Sequence, residues 1–313
     1  MKAKSLVVIS AVLFSTAAAS IPLYALLQSD DFRISTDVFM VLLDVSAKDS
    51  RGGYVSDLTK DNFHIEENGV EQKIISFNAG DVPVSAGLVL DDSGSMRRKR
   101  DEVNRAGIQF VKASNPMDQI FVVNFNDRVT MGLPPSVPFT DDVGLLQAAL
   151  ASDRPEGRTA LYDAVALALN HLEQGKEGKK TLVILSDGGD NHSTVSQAKA
   201  LELIEQSHAT IYTVGIYDVE DEDRNPKVLD KIAHISGGES FYPETPAEIE
   251  KVFNKIARDI RSRYTIGYIP STGGGNKLRR IKVAASSPDH GKLMLRTRTS
   301  YLVPDDLVTK AAK

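Results

Sequence analysis

Three short stretches of this sequence carry carboxylates and hydroxyls at spacings that suit a hard cation. Leu90-Asp91-Asp92-Ser93-Gly94-Ser95-Met96 offers a carboxylate at Asp91 and hydroxyls two and four residues later, at Ser93 and Ser95. Gly157-Arg158-Thr159 adds a third hydroxyl, and Leu185-Ser186-Asp187-Gly188-Gly189-Asp190 a second carboxylate. Carboxylate and hydroxyl oxygens completed by water are what Mg2+ takes, and Mn2+ or Ca2+ accepts the same donors. Two carboxylates facing each other in a crevice repel, and an ion between them neutralises both. Each residue alone has a plainer reading: Ser93 or Ser95 caps the following helix, Thr159 caps its own, and Asp187 is a loop acid. It is the five together, at matching strand ends, that single out cation chemistry.

Those residues need a scaffold that brings separate loops to one edge. From Val84 to about Arg263 short apolar runs alternate with amphipathic ones. The runs Gly87–Leu90, Ile120–Phe125, Thr181–Leu185 and Thr210–Val214 are continuous enough for parallel strands covered on both faces. Helices are expected over Thr159–Glu173, with Leu161, Ala164, Val165, Ala168, Leu169 and Leu172 on one stripe, and over Pro246–Ser262. The fold class is therefore α/β, a doubly wound, mostly parallel sheet over 81–263. In such a sheet ligands bind beyond the carboxyl ends of the strands, where Asp91 and Asp187 fall.

The flanks read differently. Residues 33–80 hold strand-like runs at Val38–Val45, Asn62–Glu66 and Lys73–Phe77, with Glu67-Asn68-Gly69 as a hairpin signal between the last two. Residues 264–304 return to strands at Tyr264–Tyr268, Leu278–Val283 and Lys292–Arg296, with a loop at Ser271–Asn276 and a frayed tail at 305–313. The first strand of the sheet and the last helix both meet the flanks at one edge. The flanks are thus expected to pair into one small antiparallel β-domain, with the α/β domain as an insertion.

Composition removes several function classes. The chain has 313 residues, 42 acidic against 37 basic, and a formal charge of −5, which argues against a nucleic-acid partner. With no cysteine, disulfides, thiolate zinc sites and thiol catalysis are excluded, and 6 scattered histidines leave oxygen as the metal donor. Lys2 and Lys4 precede an uncharged run from Ser5 to Leu27 in which aliphatic residues are followed by the small-residue stretch Ala17-Ala18-Ala19-Ser20. This is the layout of a signal peptide over 1–25 or, if uncleaved, of a membrane anchor. Either places the remainder outside the cytoplasm, as a periplasmic, extracellular or outward-facing anchored protein, with membrane contact only in the uncleaved case.

Asp91-x-Ser93-x-Ser95, Thr159 and Asp187 resemble the metal-ion-dependent adhesion site of von Willebrand factor A domains, in that family's order. The likeness covers about Val84 to Ser262, and the flanks are similar to those of a bacterial secreted group, although Ser300 stands where a glycine is more usual. The resemblance implies binding and not turnover, with Asp91, Ser93, Ser95, Thr159 and Asp187 holding the ion and a protein partner's Glu or Asp completing its shell. It also makes plausible a shift of the last helix that swings the β-domain on binding. Two alternatives stay open: a metal-stabilised structural or oligomerisation module, and a metal-dependent hydrolase. Asp92-Ser93-Gly94 matches an aspartic-protease signature but lacks the second such loop that chemistry needs. Arg97-Arg98-Lys99-Arg100 reads as a basic cluster able to steer an acidic ligand, or as an ordinary exposed helix start. Asp218–Arg224 reads as a solvated acidic loop, and Asp190 and His192 as loop residues near the site.

Overall fold

The computed structural model describes residues 39–151, 156–216, 224–270 and 277–303. The basic and apolar N-terminal segment, the acidic run of 217–223, the loop of 271–276 and the tail of 304–313 lie outside the described residues.

The chain enters through β1 (Val41–Lys48), β2 (Phe63–Glu67), β3 (Val70–Gln72) and β4 (Ile74–Asn78). The α/β region follows: β5 (Val84–Asp91), α1 (Arg100–Ala113), β6 (Gln119–Phe125), β7 (Val129–Met131), α2 (Val143–Leu150), α3 (Leu161–Leu172), β8 (Lys179–Ser186), α4 (Gln197–Gln206), β9 (Thr210–Gly215), α5 (Pro226–Ser236), β10 (Ser240–Phe241) and α6 (Pro246–Ser262). It leaves through β11 (Tyr264–Tyr268), β12 (Leu278–Ala285), β13 (Met294–Arg296) and β14 (Ser300–Leu302).

The central sheet has the order β10-β9-β8-β5-β6-β7, all parallel except the β7 edge. Every residue of β5 is buried, as expected for a strand with helices on both faces. Its core gathers Leu88, Phe121, Val183 and Ile211 from the strands with Phe110, Val165 and Phe253 from the helices. Helix starts are chemically marked: Asp142, Ser196, Asn225 and Thr245 each accept a backbone N–H from the first turn of α2, α4, α5 and α6, and Pro226 and Pro246 occupy first-turn positions.

The flanks interleave into two antiparallel four-stranded sheets, β13-β1-β11-β4 and β14-β12-β2-β3, each drawing on both chain ends. Leu43 and Ile266 of the first sheet share one core with Ile65, Ile281 and Tyr301 of the second, so the sheets pack face to face. The small β-domain formed by the two flanks is therefore a sandwich. One expectation is corrected. Asn68 and Gly69, both with positive φ, turn β2 back onto β3 and not onto the Lys73–Phe77 run. That run, as β4, crosses to the other sheet and pairs with β11. Strand β3 is too short to show an alternation of its own in the sequence.

Helix α6 passes into β11 through Arg263 alone, and this junction is tied from several sides. Asp259 accepts hydrogen bonds from Ser46 Oγ of β1 (2.8 Å), Arg263 Nε (3.0 Å) and Arg296 Nη2 of β13 (2.9 Å), and from the Tyr212 hydroxyl of β9 (2.5 Å). Lys179 Nζ, at the start of β8, donates to the Ile260 carbonyl at 2.6 Å and so caps the last turn of α6.

Candidate functional site

Strand pairing sets the site. Leu90 of β5 lies opposite Leu185 of β8, so Asp91 and Ser186 come next on neighbouring parallel strands at their carboxyl ends. Asp91 is fully buried; its Oδ1 accepts from Ser93 N at 2.9 Å and its Oδ2 from Ser186 Oγ at 2.6 Å. After Ser93 the chain makes a short 3-10 helix, Gly94–Arg98, that turns Ser95 toward β8. Ser95 Oγ donates to Asp187 Oδ2 at 2.5 Å and lies 3.0 Å from Ser93 Oγ. Asp187 is buried as well, with Oδ1 accepting from Gly189 N at 2.8 Å. Gly188 between them sits at φ +82°, and a Cβ there would strike the Asn225 carbonyl, so only glycine fits this turn.

Asp91, Ser93, Ser95 and Asp187 are thus joined in one hydrogen-bonded cluster. Thr159 is placed beside it by two links. The Gly157 carbonyl accepts from Gly94 N at 3.2 Å, and Asn191, four residues beyond Asp187, takes the Thr159 N–H at 2.9 Å through Oδ1. Among the described residues no hydrogen bond joins the Thr159 hydroxyl to the other four side chains. Burial and then the charge of Asp187 push the Asp91 carboxyl up to about 7, against the pull of the Ser186 and Ser93 donors.

The donor set fits a hard dication. It comprises two carboxylates and three hydroxyls, and the two buried carboxylates repel each other. Among the described residues no group of three or more His, Cys, Asp or Glu is disposed to hold a metal. With two carboxylates, a dication is neutralised but not over-compensated, which leaves it able to accept a further anionic oxygen. Ser95 is exposed while Asp91, Ser93 and Asp187 are buried, so the cluster opens to solvent on the Ser95 side.

Neighbouring residues have their own tasks. Asp92 does not face Asp91's partners: it is buried in an ion pair with Arg100, whose Nη2 also donates to the Leu150 carbonyl at the end of α2 (2.7 Å). Arg100 is therefore structural and leaves the basic cluster read from the sequence, whereas Arg97 and Arg98 are exposed. Asp190 Oδ2 and Ser193 Oγ both accept the Tyr162 N–H at 3.0 Å and so serve the start of α3. His192 Nδ1 lies 3.5 Å from Arg158 Nη1 at the exposed surface. Sequence reasoning missed Ser186, Asn191 and the Asp92–Arg100 pair. Ser186 and Asn191 had a signal in their adjacency to Asp187, whereas Arg100 had none, because it sits in a run of four basic residues.

A family model of the von Willebrand factor type A domain matches residues 87–292. An uncharacterized protein of Synechocystis sp. is 25% identical over 178 residues, covering 56% of this chain and 41% of the relative. A UPF0353 protein of Mycolicibacterium paratuberculosis is 26% identical over 216 residues, covering 61% and 64%. The chain thus spans less than two thirds of the length of these curated relatives. Among solved structures, a von Willebrand factor type A protein from Catenulispora acidiphila superposes with a TM-score of 0.53 at 17% identity, over 79% of this chain and 75% of that one.

Proposed function

Since the chain belongs to the von Willebrand factor type A domain family, we propose that it is a binding module that recognises a partner protein through a divalent cation. Asp91, Ser93, Ser95, Thr159 and Asp187 would hold the ion, Mg2+ or Mn2+ by donor chemistry, with Ca2+ accepted by the same oxygens. When bound, the ion supplies an electrophilic position that a Glu or Asp of the partner can occupy. The chain's own residues do the rest. Ser186 and the Ser93 N–H orient Asp91, Ser95 and the Gly189 N–H orient Asp187, and the 3-10 helix keeps Ser95 at the opening. The observation that carries this reading is the burial of Asp91 and Asp187 in one cluster, joined by hydroxyl protons and open at Ser95. The basic and apolar start of the sequence supports a place outside the cytoplasm, either released or anchored.

Immobilised full-length protein should capture a Glu- or Asp-bearing partner in Mg2+ and release it in EDTA, with Mg2+ restoring capture. Capture unchanged by EDTA would contradict metal-mediated recognition. A gain of thermal stability with metal, without any metal-dependent capture, would favour a structural role for the ion.

A further inference from the structure

Half of the large apolar side chains that the described residues leave exposed stand at one end of the β-sandwich: Met40, Val70, Ile75, Ile269 and Leu278, between 38% (Met40) and 55% (Val70) exposed. Exposed apolar residues are ordinary when scattered singly, so it is their gathering that calls for a cause. Topology defines this end. Strand β1 starts there, β11 finishes there and β4 starts there, because Val41 pairs with Tyr268 and Tyr268 with Ile74. The second sheet brings the start of β12 and the Asn68-Gly69 turn to the same end, since Ile281 pairs with Glu67 and Asn68 N donates to the Arg280 carbonyl (2.8 Å). Buried Glu67 ties the two sheets together by accepting from the hydroxyls of Tyr268 (2.8 Å) and Tyr301 (2.9 Å). Two local devices turn apolar side chains outward. The pairing of β11 with β4 slips between Gly267 and Tyr268, which leaves Ile75 unpaired on the bulge and exposed. A Cβ on Gly267 would lie 2.9 Å from Met40 Sδ and 3.0 Å from Ser76 Cβ, so glycine makes room for Met40 on the outer face of β11.

Both passages to the α/β region leave from the opposite end, where β4 finishes at Asn78 and β11 begins at Tyr264. The carboxyl edge of the central sheet supplies none of the five side chains, so a surface that covers them leaves Asp91 and Asp187 open. What enters at the apolar end is the N-terminal chain. The described residues begin at Phe39, next to Met40, and residues 28–38 separate it from the uncharged run Ser5–Leu27. At about 3.3–3.6 Å per residue, that stretch reaches at most about 40 Å. A run embedded in a bilayer therefore keeps this end of the sandwich within reach of the same surface. Charge does not select the end: Lys73 and Arg280 are exposed there beside Glu71, and Asp37, Asp305 and Asp306 lie close by in sequence. We propose that Met40, Val70, Ile75, Ile269 and Leu278 form a docking surface that seats the sandwich in the interfacial layer of the bilayer holding the N-terminal run. The seat is made by apolar burial and not by attraction to anionic headgroups. The inference rests on the anchored reading of that run and adds the face of the folded chain that meets the membrane.

The chain contains no tryptophan, so single reporters can be read in the full-length protein. Ile75→Trp and Ile269→Trp probe the apolar end, and Met294→Trp, exposed at the start of β13 opposite Lys48, probes the other. With vesicles of zwitterionic phosphatidylcholine the chain should float with the lipid. The first two reporters should shift to the blue and be quenched by lipids brominated in their acyl chains, and the third should do neither. Quenching should survive high salt, which screens headgroup attraction. Adding Ile269→Glu to the Ile75→Trp chain should remove most of the quenching without preventing flotation, because a charge there opposes insertion while the N-terminal run still holds the lipid. A chain that floats while neither reporter at the apolar end responds, or while all three respond alike, would overturn the inference and leave the anchored reading standing. A chain that does not float would overturn the anchored reading and the inference with it. Reporters already blue in lipid-free buffer and unmoved by vesicles would put the apolar end under protein, a second copy if the shift grows with concentration, and would overturn the inference too. Quenching lost in high salt would overturn the apolar seat.

Discussion

Asp91→Asn should abolish Mg2+ binding and at the same time raise the melting temperature of the metal-free protein. The two effects have one cause. Asp91 is fully buried, and Asp187 is a second buried carboxylate in the same cluster, so each charge is costly to the apo fold. Asparagine keeps an oxygen for the Ser93 N–H and can offer its amide to Ser186, so the local hydrogen bonds survive while one repelling charge disappears. The ion loses a charged donor, and the expected fall in affinity is about 100-fold or more, beyond the 10- to 100-fold typical for a residue that merely supports a ligand. Calorimetric titration with Mg2+ and thermal unfolding with and without metal measure both halves. A variant that Mg2+ stabilises as much as the parent chain would contradict the assignment of Asp91.

Asp259→Ala should cost stability on the order of 3–5 kcal/mol, the penalty for leaving a buried charge without its partner. Arg263 is buried beside it, and Arg296 and the Tyr212 hydroxyl converge on the same carboxylate. Burial alone would raise the carboxyl's pKa, but Arg263 and Arg296 override it and hold it well below the usual carboxylate range. A carboxyl depressed in the folded state contributes stability that is complete above its unfolded value, near 3.8, and is lost as the pH falls through the folded value. Urea denaturation should therefore show a large gap between parent and variant at neutral pH that narrows below about pH 3.8. A gap of under about 1 kcal/mol at neutral pH would show that this junction is not held by Asp259. The same contacts bear on the expected helix shift. Any movement of α6 along its axis would have to break the bonds of Asp259 to Ser46, Arg296 and Tyr212 and that of Lys179 to the Ile260 carbonyl.

The parts of the fold that were legible in the sequence are those where local pattern and tertiary role coincide. Continuous apolar runs such as Ile120–Phe125 mark strands covered on both faces, and Pro246–Ser262 shows the helix α6 at its full length, because Thr245 and Pro246 signal its start and its apolar stripe needs no partner to be seen. Asp91 and Asp187 were legible because an acid directly after an apolar strand is placed at the sheet's carboxyl edge by topology alone. What escaped depends on partners far away in sequence. Asp259 lies between Ala257 and Ile260 and reads as a residue of the polar face, yet it is buried because Ser46, Tyr212 and Arg296 arrive from three other strands. Arg100 likewise reads as one more exposed base until Asp92 is found beneath it. The three-residue strand β3 is invisible for a third reason: it is stabilised by the turn at Asn68-Gly69 and by pairing to β2, and not by any periodicity of its own.

The most direct test of the account is an anomalous difference map from crystals of this protein grown with Mn2+. The account predicts one strong peak within coordination distance, about 2.0–2.4 Å, of hydroxyl or carboxylate oxygens drawn from Ser93, Ser95, Thr159, Asp91 and Asp187, with waters completing the shell. A map with no peak at the ends of β5 and β8, or with manganese held only by other residues, would contradict it.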